Sequence, residues 1–239
     1  MSIWLSVILC ALLGYLLGCI NPAYFIARAR GFDIRSRGSG NAGASNAVIT
    51  MGKAAGVFSA IIDIFKAWLA VCLATRYFTA LSVGGIPVAG EIAGVACILG
   101  HMFPFFMAFR GGKGFACMAG MILYMDWRAF LLLFCGELLL VFITDYICVA
   151  PLSLSVVFPI IRGLTTGSWA AALILCLAIP AVWYRHTVNI RRIADGTEAH
   201  FSFLWNRKHE TDRIAQGTTN TQDAESEPSK KNWRESNHT

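Results

Sequence analysis

A chain of 239 residues would form one or two domains if it were soluble, but its composition excludes a soluble protein. Apolar residues make up 56% of the chain and charged residues only 14%, against about 25% charged residues in soluble domains. The mean hydropathy is +0.58, and the eleven charged residues between positions 54 and 184 are separated by apolar runs. We therefore predict an all-α, polytopic membrane protein.

The net charge and the cysteines exclude several other classes of protein. The charge of +6 could suggest a nucleic-acid partner, but the basic residues lie between apolar runs, where orientation in a membrane explains them better. The eight cysteines lie in apolar stretches without a C-x-x-C pair, which indicates neither a zinc site nor a disulfide framework. No basic residue precedes the first apolar run, so we expect an uncleaved spanning helix and not a signal peptide.

Seven apolar segments follow one another along the chain. The first three are long enough to cross a hydrocarbon core of about 30 Å, whereas the fourth to sixth are short. Because Asp145 alone separates the fifth segment from the sixth, a single interrupted helix is the alternative there. The segments cover residues 3–27, 54–77, 87–108, 114–125, 129–144, 146–161 and 168–184.

The basic residues favour seven transmembrane helices with the N-terminus outside and the C-terminus in the cytoplasm. In that arrangement ten Lys and Arg residues lie in inside loops and three in outside loops, in agreement with the positive-inside bias. Merging the fifth and sixth segments would place the basic stretch 185–192 on the opposite face from the basic stretch 28–53. The charge asymmetry disfavours that arrangement.

Composition also divides the chain into two parts. Residues 1–206 are predicted to form the integral membrane domain, in which Gly14-x-x-x-Gly18 and Gly90-x-x-x-Gly94 fit close packing between helices. Residues 207–239 are polar with almost no apolar side chains, so we expect a disordered cytoplasmic tail.

Three polar clusters interrupt the apolar pattern, at residues 37–46, 100–114 and 185–198. Each combines glycine with Asn, His, Lys or Arg. Ordinary turns between helices are the plain alternative, because Gly, Asn and Ser supply left-handed positions and helix caps. Three such clusters on one predicted face favour an active site at the membrane surface.

The residue types in the clusters suit anion binding. Glycines free backbone N–H groups to face a phosphate, and a loop that opens onto a helix N-terminus adds the helix dipole. Lys113 lies between two glycines and can approach a phosphate as a point charge. Amides suit substrate hydroxyls, and imidazoles can carry protons near neutral pH. The candidates of these two kinds are Asn41, Asn46, Asn189, His101 and His186.

Two glycine motifs share only their spelling with nucleotide-binding signatures. Gly38-x-Gly40-x-x-Gly43 follows a predicted spanning helix and not a strand. The loop around Lys113 lacks both the earlier Gly and the following Ser or Thr of a P-loop. We predict no nucleotide cofactor.

Five of the eleven charged residues between positions 54 and 184 are interpreted individually. Asp63 and Lys66 are one helical turn apart, and a buried ion pair and a direct substrate role are equally compatible with that spacing. Glu91 and Glu137 are expected to be interhelical hydrogen-bond partners or to face the outer headgroups. Asp145 is expected to be a turn residue.

The three clusters resemble, in order and spacing, the motifs of the bacterial membrane acyl-phosphate:glycerol-3-phosphate acyltransferase family. The resemblance extends over roughly residues 14–198, and Asp63 and Lys66 fall where the family has an Asp and a Lys on its second span. The matching stretches are Ser39-Gly40-Asn41-x-Gly43-x-x-Asn46, Gly100-His101-x-Phe103-Pro104-x-Phe106 with Gly111-Gly112-Lys113-Gly114, and His186-x-x-Asn189-Ile190-x-Arg192 with Gly196-Thr197-Glu198.

The resemblance implies seven spanning helices in the bacterial inner membrane, with the active site on the cytoplasmic face. It implies acyl transfer from acyl phosphate to the sn-1 hydroxyl of glycerol 3-phosphate, giving lysophosphatidic acid, without metal, cofactor or covalent acyl-enzyme. The catalytic residues it implies are Ser39, Lys113, His186 and Asn189, supported by Asp63 and Lys66. The substrate-binding residues it implies are Arg37, Gly40, Asn41, Gly43, Asn46, His101, Gly111, Gly112, Gly114, Arg192 and Glu198.

One position departs conspicuously from the family pattern. Ile49 stands where the family has an arginine that is expected to face a substrate phosphate. Either Arg35, Arg37 or Lys53 takes over that contact, or the chain is a divergent member with weak or altered activity. A transporter is the alternative from another class, but the polar residues gather on one predicted face and we see no internal repeat.

Overall fold

The computed structural model describes residues 2–204, including the side chains of residues 2–202. The only sheet in this part of the chain is an antiparallel hairpin of β1 (Ser82–Val83) and β2 (Ile86–Pro87). The expected tail, residues 207–239, lies outside the described residues. The α-helices are α1 (Ile3–Cys19), α2 (Pro22–Ala29), α3 (Ala44–Met51), α4 (Lys53–Tyr77), α5 (Ala89–Met102), α6 (Phe115–Met125), α7 (Trp127–Thr144), α8 (Val149–Thr166), α9 (Trp169–Cys176) and α10 (Ile179–Ala194). Short 3-10 helices cover Ile34–Ser36, Phe105–Met107 and Phe201–Leu204.

Six helical segments within residues 2–204 are long and apolar enough to cross a membrane. The predicted fourth segment is helix α6, which is helical as expected but has only 11 residues. At 1.5 Å per residue it extends about 16 Å, roughly half of a hydrocarbon core. The protein is thus an all-α polytopic membrane protein, and seven is an approximate count of its spans. The six segments are Ile3–Ala29, Lys53–Tyr77, Ala89–Met107, Trp127–Thr144, Val149–Thr166 and Trp169–Ala194.

The first and last predicted segments are each divided into two helices. Asn21 ends the first break by capping α2, because its side chain accepts a hydrogen bond from the Tyr24 N–H, and Pro22 occupies the first helical position. The last segment breaks between α9 and α10, where Pro180 lies in the first turn of α10. The fifth and sixth segments are separate helices, α7 and α8, and not one interrupted helix.

Glycines allow the closest helix contacts in the bundle. A Cβ added to Gly14 would overlap the backbone of Ala93, and one added to Gly18 would overlap the backbone of Cys97. The Gly14-x-x-x-Gly18 motif therefore lets α1 lie directly against α5, as the motif predicts. Helix α5 is the most deeply buried of the six spans, and it connects the end of the bundle that carries the β1–β2 hairpin to the second polar cluster.

The isolated acidic residues pair between helices, as expected. Glu91 on α5 accepts a hydrogen bond from Arg162 Nε on α8 (2.9 Å), and the Arg162 Nη2 atom lies 2.8 Å from the same carboxylate. Glu137 on α7 accepts from Ser153 Oγ on α8 at 2.5 Å. These contacts satisfy carboxylates that burial would otherwise leave costly.

Asp145 occupies the corner between α7 and α8, where its φ of 59° places it in the left-handed region. Its role as a turn residue is confirmed, and its carboxylate has a second function. Oδ1 accepts from the Ser202 N–H and Oδ2 accepts from the Ser202 hydroxyl, both at 2.8 Å. This contact holds the segment after α10 against the end of the bundle where the polar clusters lie.

Candidate active site

The first cluster is a loop organised around the side chain of Asn46. Its Nδ2 donates to the carbonyls of Ile34 (3.0 Å) and Asn41 (2.9 Å), and also to that of Arg37 (3.0 Å). Its Oδ1 accepts from the Ser39 N–H at 2.9 Å. Because both ends of the amide are occupied, the geometry does not support the predicted contact between Asn46 and a substrate. Asn46 instead determines the shape of the loop that presents Ser39.

The exposed part of this loop carries the candidate substrate contacts. Arg37, Ser39 and Gly40 are exposed to solvent, and the Arg37 guanidinium lies 4.2 Å from the centre of the Phe32 ring. The buried Asn41 Oδ1 has no hydrogen-bond partner within residues 2–204, so it can accept from a substrate hydroxyl. Gly43 is buried at the N-cap of α3. No hydrogen bond joins this loop to Lys113 or Asn189 in the described part of the chain.

The glycine-lysine loop, residues 108–114, folds back onto the end of α5. The Gly111 N–H donates to the Met102 carbonyl (3.0 Å) and the Gly112 N–H to the His101 carbonyl (3.1 Å). These two N–H groups are therefore used within the protein, and the prediction that they face a phosphate is wrong. Both glycines are needed for another reason, because a Cβ on Gly111 would overlap the His101 carbonyl and one on Gly112 would overlap its imidazole.

The free N–H groups lie one step further along, at the start of α6. Gly114 is the N-cap of α6 in the left-handed region (φ 86°), and no side chain caps this helix. The first-turn N–H groups of α6 therefore have no capping side chain among the described residues. A helix N-terminus of this kind, directly after Lys113, suits an anion.

Arg185 holds the glycine-lysine loop in place. Its Nη2 donates to the Gly111 carbonyl (2.6 Å) and its Nε to the Gly112 carbonyl (3.2 Å). Sequence reasoning placed Arg185 in the third cluster but did not count it as a site residue. Arg185 begins a basic stretch, and the sequence does not distinguish it from a basic residue that only determines the orientation in the membrane.

The second and third clusters meet at Lys113. Its Nζ donates to Asn189 Oδ1 at 2.5 Å, and Asn189 Nδ2 donates to Glu198 Oε1 at 2.5 Å. Burial lowers the pKa of Lys113 below its ordinary value, while the carboxylate of Glu198 acts in the opposite direction. An arriving phosphate would therefore stabilise the charged form of a lysine that burial penalises.

His186 lies one helical turn before Asn189 on α10, on the same buried face, as the spacing of three predicts. Its Nδ1 is 2.7 Å from the Val182 carbonyl. Because a carbonyl can only accept, Nδ1 carries the proton and the neutral ring leaves Nε2 as an acceptor. Arg192 is exposed, and its backbone carbonyl accepts from the Glu198 N–H (3.0 Å). No guanidinium hydrogen bond from Arg192 is found within residues 2–204.

The ion pair of Asp63 and Lys66 is buried and includes a third residue. Lys66 Nζ is 2.7 Å from Asp63 Oδ1 and 2.9 Å from His101 Nδ1. Cys117 is close by, and its sulfur together with donor atoms of Asp63 and His101 forms a set within 4.8 Å that could hold a metal. In this structure the ammonium of Lys66 supplies a positive charge to that set.

Asn21 joins the break between α1 and α2 to the first loop and was not identified from the sequence. Its Nδ2 donates to the Ala42 carbonyl at 2.9 Å, next to Asn41 and Gly43. The Asn-Pro pair is a recognisable helix-start signal, but it gives no indication of which distant loop the amide will bind.

Comparisons with known proteins identify the family. The family model described as glycerol-3-phosphate acyltransferase matches residues 8–196. A glycerol-3-phosphate acyltransferase of Thermotoga petrophila is 35% identical over 188 residues, covering 78% of this chain and 92% of that protein. Glycerol-3-phosphate acyltransferase 1 of Deinococcus radiodurans is 37% identical over 195 residues, covering 81% of this chain and 95% of that protein.

Two solved structures share the fold over most of their length. They are crystal structures of PlsY (YgiH), an integral membrane glycerol 3-phosphate acyltransferase, in a glycerol 3-phosphate form and a lysophosphatidic acid form. The TM-scores are 0.72 and 0.70, each at 30% identity, covering 83% of this chain and 97% of that chain. The chain belongs to the glycerol-3-phosphate acyltransferase family.

Proposed function

We propose that this protein transfers a fatty acyl group from acyl phosphate to the sn-1 hydroxyl of glycerol 3-phosphate, giving lysophosphatidic acid. The observation that carries the proposal is the contact between Lys113 and Asn189 at the uncapped N-terminus of α6. It places a cation, a neutral amide and free backbone N–H groups at one point, which suits a phosphate and a hydroxyl bound side by side.

The chemistry requires the glycerol oxygen to attack the acyl carbon while the bond from that carbon to the phosphate oxygen breaks. Lys113 and the N-terminus of α6 stabilise the negative charge that builds on the leaving phosphate. Within the described residues Asn189 donates only once, to Glu198, and its second N–H holds the hydroxyl, whereas in Asn46 both N–H groups are taken by backbone carbonyls. The hydroxyl proton goes to the departing phosphate, or to Nε2 of His186, which is the unprotonated nitrogen of that ring.

A small apolar cleft beside the site offers a contact surface for part of the acyl chain. The cleft lies between α6, α7 and α8 and starts at Phe115, two residues after Lys113. An acyl chain lying there would leave its phosphate at the glycine-lysine loop. The lining residues include Phe115, Ala119, Ile122, Phe130, Leu133 and Leu154.

The contacts of the neighbouring cations favour compensation for Ile49 by Arg37. Arg35 is not available, because it is bound to Asp33 (2.7 Å) and donates to the Met107 carbonyl (2.6 Å). Arg37 makes only a ring contact with Phe32 within the described residues, and its guanidinium is exposed beside Ser39. We assign the missing phosphate contact to Arg37. A member with weak activity is the second candidate, and Ile49 is the observation that favours it.

We further propose that the site faces the cytoplasm of a bacterial inner membrane. The ten basic residues in the predicted inside loops, against three in the outside loops, support this orientation.

Purified protein tests the proposed reaction by comparing donors. With glycerol 3-phosphate as acceptor, we expect lysophosphatidic acid from acyl phosphate and none from acyl-CoA carrying the same chain. Equal product from both donors would reject the donor assignment, and no product from either would favour the divergent member.

A further inference from the structure

The buried cluster behind the glycine-lysine loop has a hydrogen-bond pattern that determines the proton position on His101. The side chains of Asp63, Lys66 and His101 are 2%, 3% and 4% exposed, so water contributes little to their pairing. An ammonium has three N–H donors. Lys66 Nζ forms an ion pair with Asp63 Oδ1 at 2.7 Å, donates to the Ile20 carbonyl at 2.5 Å and lies 2.9 Å from His101 Nδ1.

This pattern requires His101 Nδ1 to be an acceptor. The ammonium of Lys66 has no lone pair, so its hydrogen bond with Nδ1 requires Nδ1 to be the acceptor, and the neutral ring then carries its proton on Nε2. The competing arrangement is a bond from Nδ1–H to Asp63 Oδ1. That pair is 3.3 Å apart, longer than the 2.7 Å contact of the same oxygen with Lys66.

The Nε2 edge of His101 faces the candidate site. A Cβ added to Gly112 would meet Nε2 before any other atom, so this edge lies directly against the loop that carries Lys113. Nε2 makes no hydrogen bond with the described side chains of residues 2–202, and it is not one of their fully buried unpartnered polar atoms, so it keeps some accessible surface at the loop. An N–H at this position is free to donate to an acceptor at the loop.

We propose that Lys66, oriented by Asp63, is a positioning residue that keeps His101 protonated on Nε2, so that this N–H donates to a substrate phosphate at the glycine-lysine loop. The inference rests on the proposed function for the identity of the phosphate. It gives His101 the role of a fixed donor and excludes a role as a base. It also gives a function to a lysine that is buried in an ion pair behind the glycine-lysine loop.

Nitrogen-15 shifts of the histidine rings in the bilayer-embedded protein test the proton position without any assay of activity. The His101 signals are identified by their loss in His101→Gln. We expect an unprotonated Nδ1 and a protonated Nε2 in the wild-type protein. In Lys66→Met, which removes the donors and keeps a similar volume, we expect Nδ1 to become protonated toward Asp63. A wild-type His101 protonated on Nδ1, or on both nitrogens, would overturn the proposal.

Activity separates the donor role from a purely structural one. Glutamine places an amide N–H near Nε2, whereas asparagine places it near Nδ1. We therefore expect His101→Gln to retain at least about tenfold more kcat/KM than His101→Asn, and Lys66→Met to lose about tenfold or more, as when an orienting partner of a histidine is removed. Glu91→Gln, which breaks a buried ion pair at the opposite end of α5, is the control for general destabilisation.

The outcomes distinguish the two proposals. Equal activity of the glutamine and asparagine variants, or a Lys66→Met variant that folds with full activity, would reject the donor role. A wild-type protein that shows the expected proton position but forms no lysophosphatidic acid would reject the proposed function, and with it the substrate phosphate as the acceptor.

Discussion

Ile49 is 54% exposed on α3, one helical turn after the exposed Ser45. An isoleucine there presents apolar surface where the family pattern has a cation. If Arg37 has taken over the phosphate contact, Ile49→Arg should change the apparent affinity for glycerol 3-phosphate little or worsen it, because two cations would crowd one phosphate. Arg37→Ala should then be severe. Steady-state kinetics with varied glycerol 3-phosphate make the comparison.

The opposite result would identify an impaired enzyme. An improvement of about tenfold or more in Ile49→Arg, equivalent to roughly 1.4 kcal/mol, would contradict compensation by Arg37.

The hydrogen bond from His186 Nδ1 to the Val182 carbonyl leaves Nε2 as the nitrogen that can accept a proton. A neutral acceptor loses function when it is protonated, so wild-type turnover should fall as the pH is lowered. In His186→Gln we expect a lower rate and the loss of this acid limb. The pH profile of kcat for both proteins is the measurement. A lower rate with an unchanged profile would leave His186 as a group that positions the phosphate.

At the scale of single residues, the sequence predicts which side chains lie close together but not which hydrogen bonds their atoms make. The contact of Lys113 with Asn189 follows from recognising two motifs of one site. The amide of Asn46 and the N–H groups of Gly111 and Gly112 are occupied by backbone partners, which depend on loop shapes that no local pattern specifies.

At the scale of helices, the contact of α1 with α5 supports the site because it fixes the position of α1 up to its break at Ile20. The Ile20 carbonyl in turn accepts from Lys66. Gly14→Leu should lower the unfolding temperature, because its side chain would overlap the Ala93 backbone and overpacking costs at least about 1–3 kcal/mol. Gly136→Ala on α7, where an added Cβ meets no atom within 4 Å, is the control and should be unchanged or slightly stabilised. Thermal unfolding in detergent compares them, and an equal shift in both variants would reject the packing argument.

Helix positions are predictable because apolar runs and glycine spacing are local properties of the chain. The breaks at Asn21 and between α9 and α10 were not predicted, although Asn-Pro and a proline in the last segment are signals for them. Length and hydropathy alone do not detect a helix break inside an apolar run. The break before α2 matters for the site, since it frees the Ile20 carbonyl to accept from Lys66 (2.5 Å).

At the scale of the whole molecule, the orientation in the membrane remains a prediction. Ser39 lies in the first polar loop and Ser82 in the hairpin between α4 and α5, and both are exposed. Single cysteines at Ser39 and Ser82, in a background without the native cysteines, should be labelled by an impermeant reagent from opposite sides. We expect Ser39→Cys to react only from the cytoplasmic side. Reaction of Ser39→Cys from outside would contradict the orientation and the cytoplasmic site.

The central claim is that the glycine-lysine loop and α10 form one site for phosphate-driven acyl transfer, and Lys113 tests it most directly. The measurement is lysophosphatidic acid formation from acyl phosphate by the wild-type protein, Lys113→Met and Arg110→Met, the last being an exposed cation of the same loop. We expect Lys113→Met to fold and to lose at least about 2–4 kcal/mol of transition-state stabilisation, roughly thirty- to a thousandfold in kcat/KM, while Arg110→Met changes far less. A folded Lys113→Met protein with near-normal turnover would contradict the account.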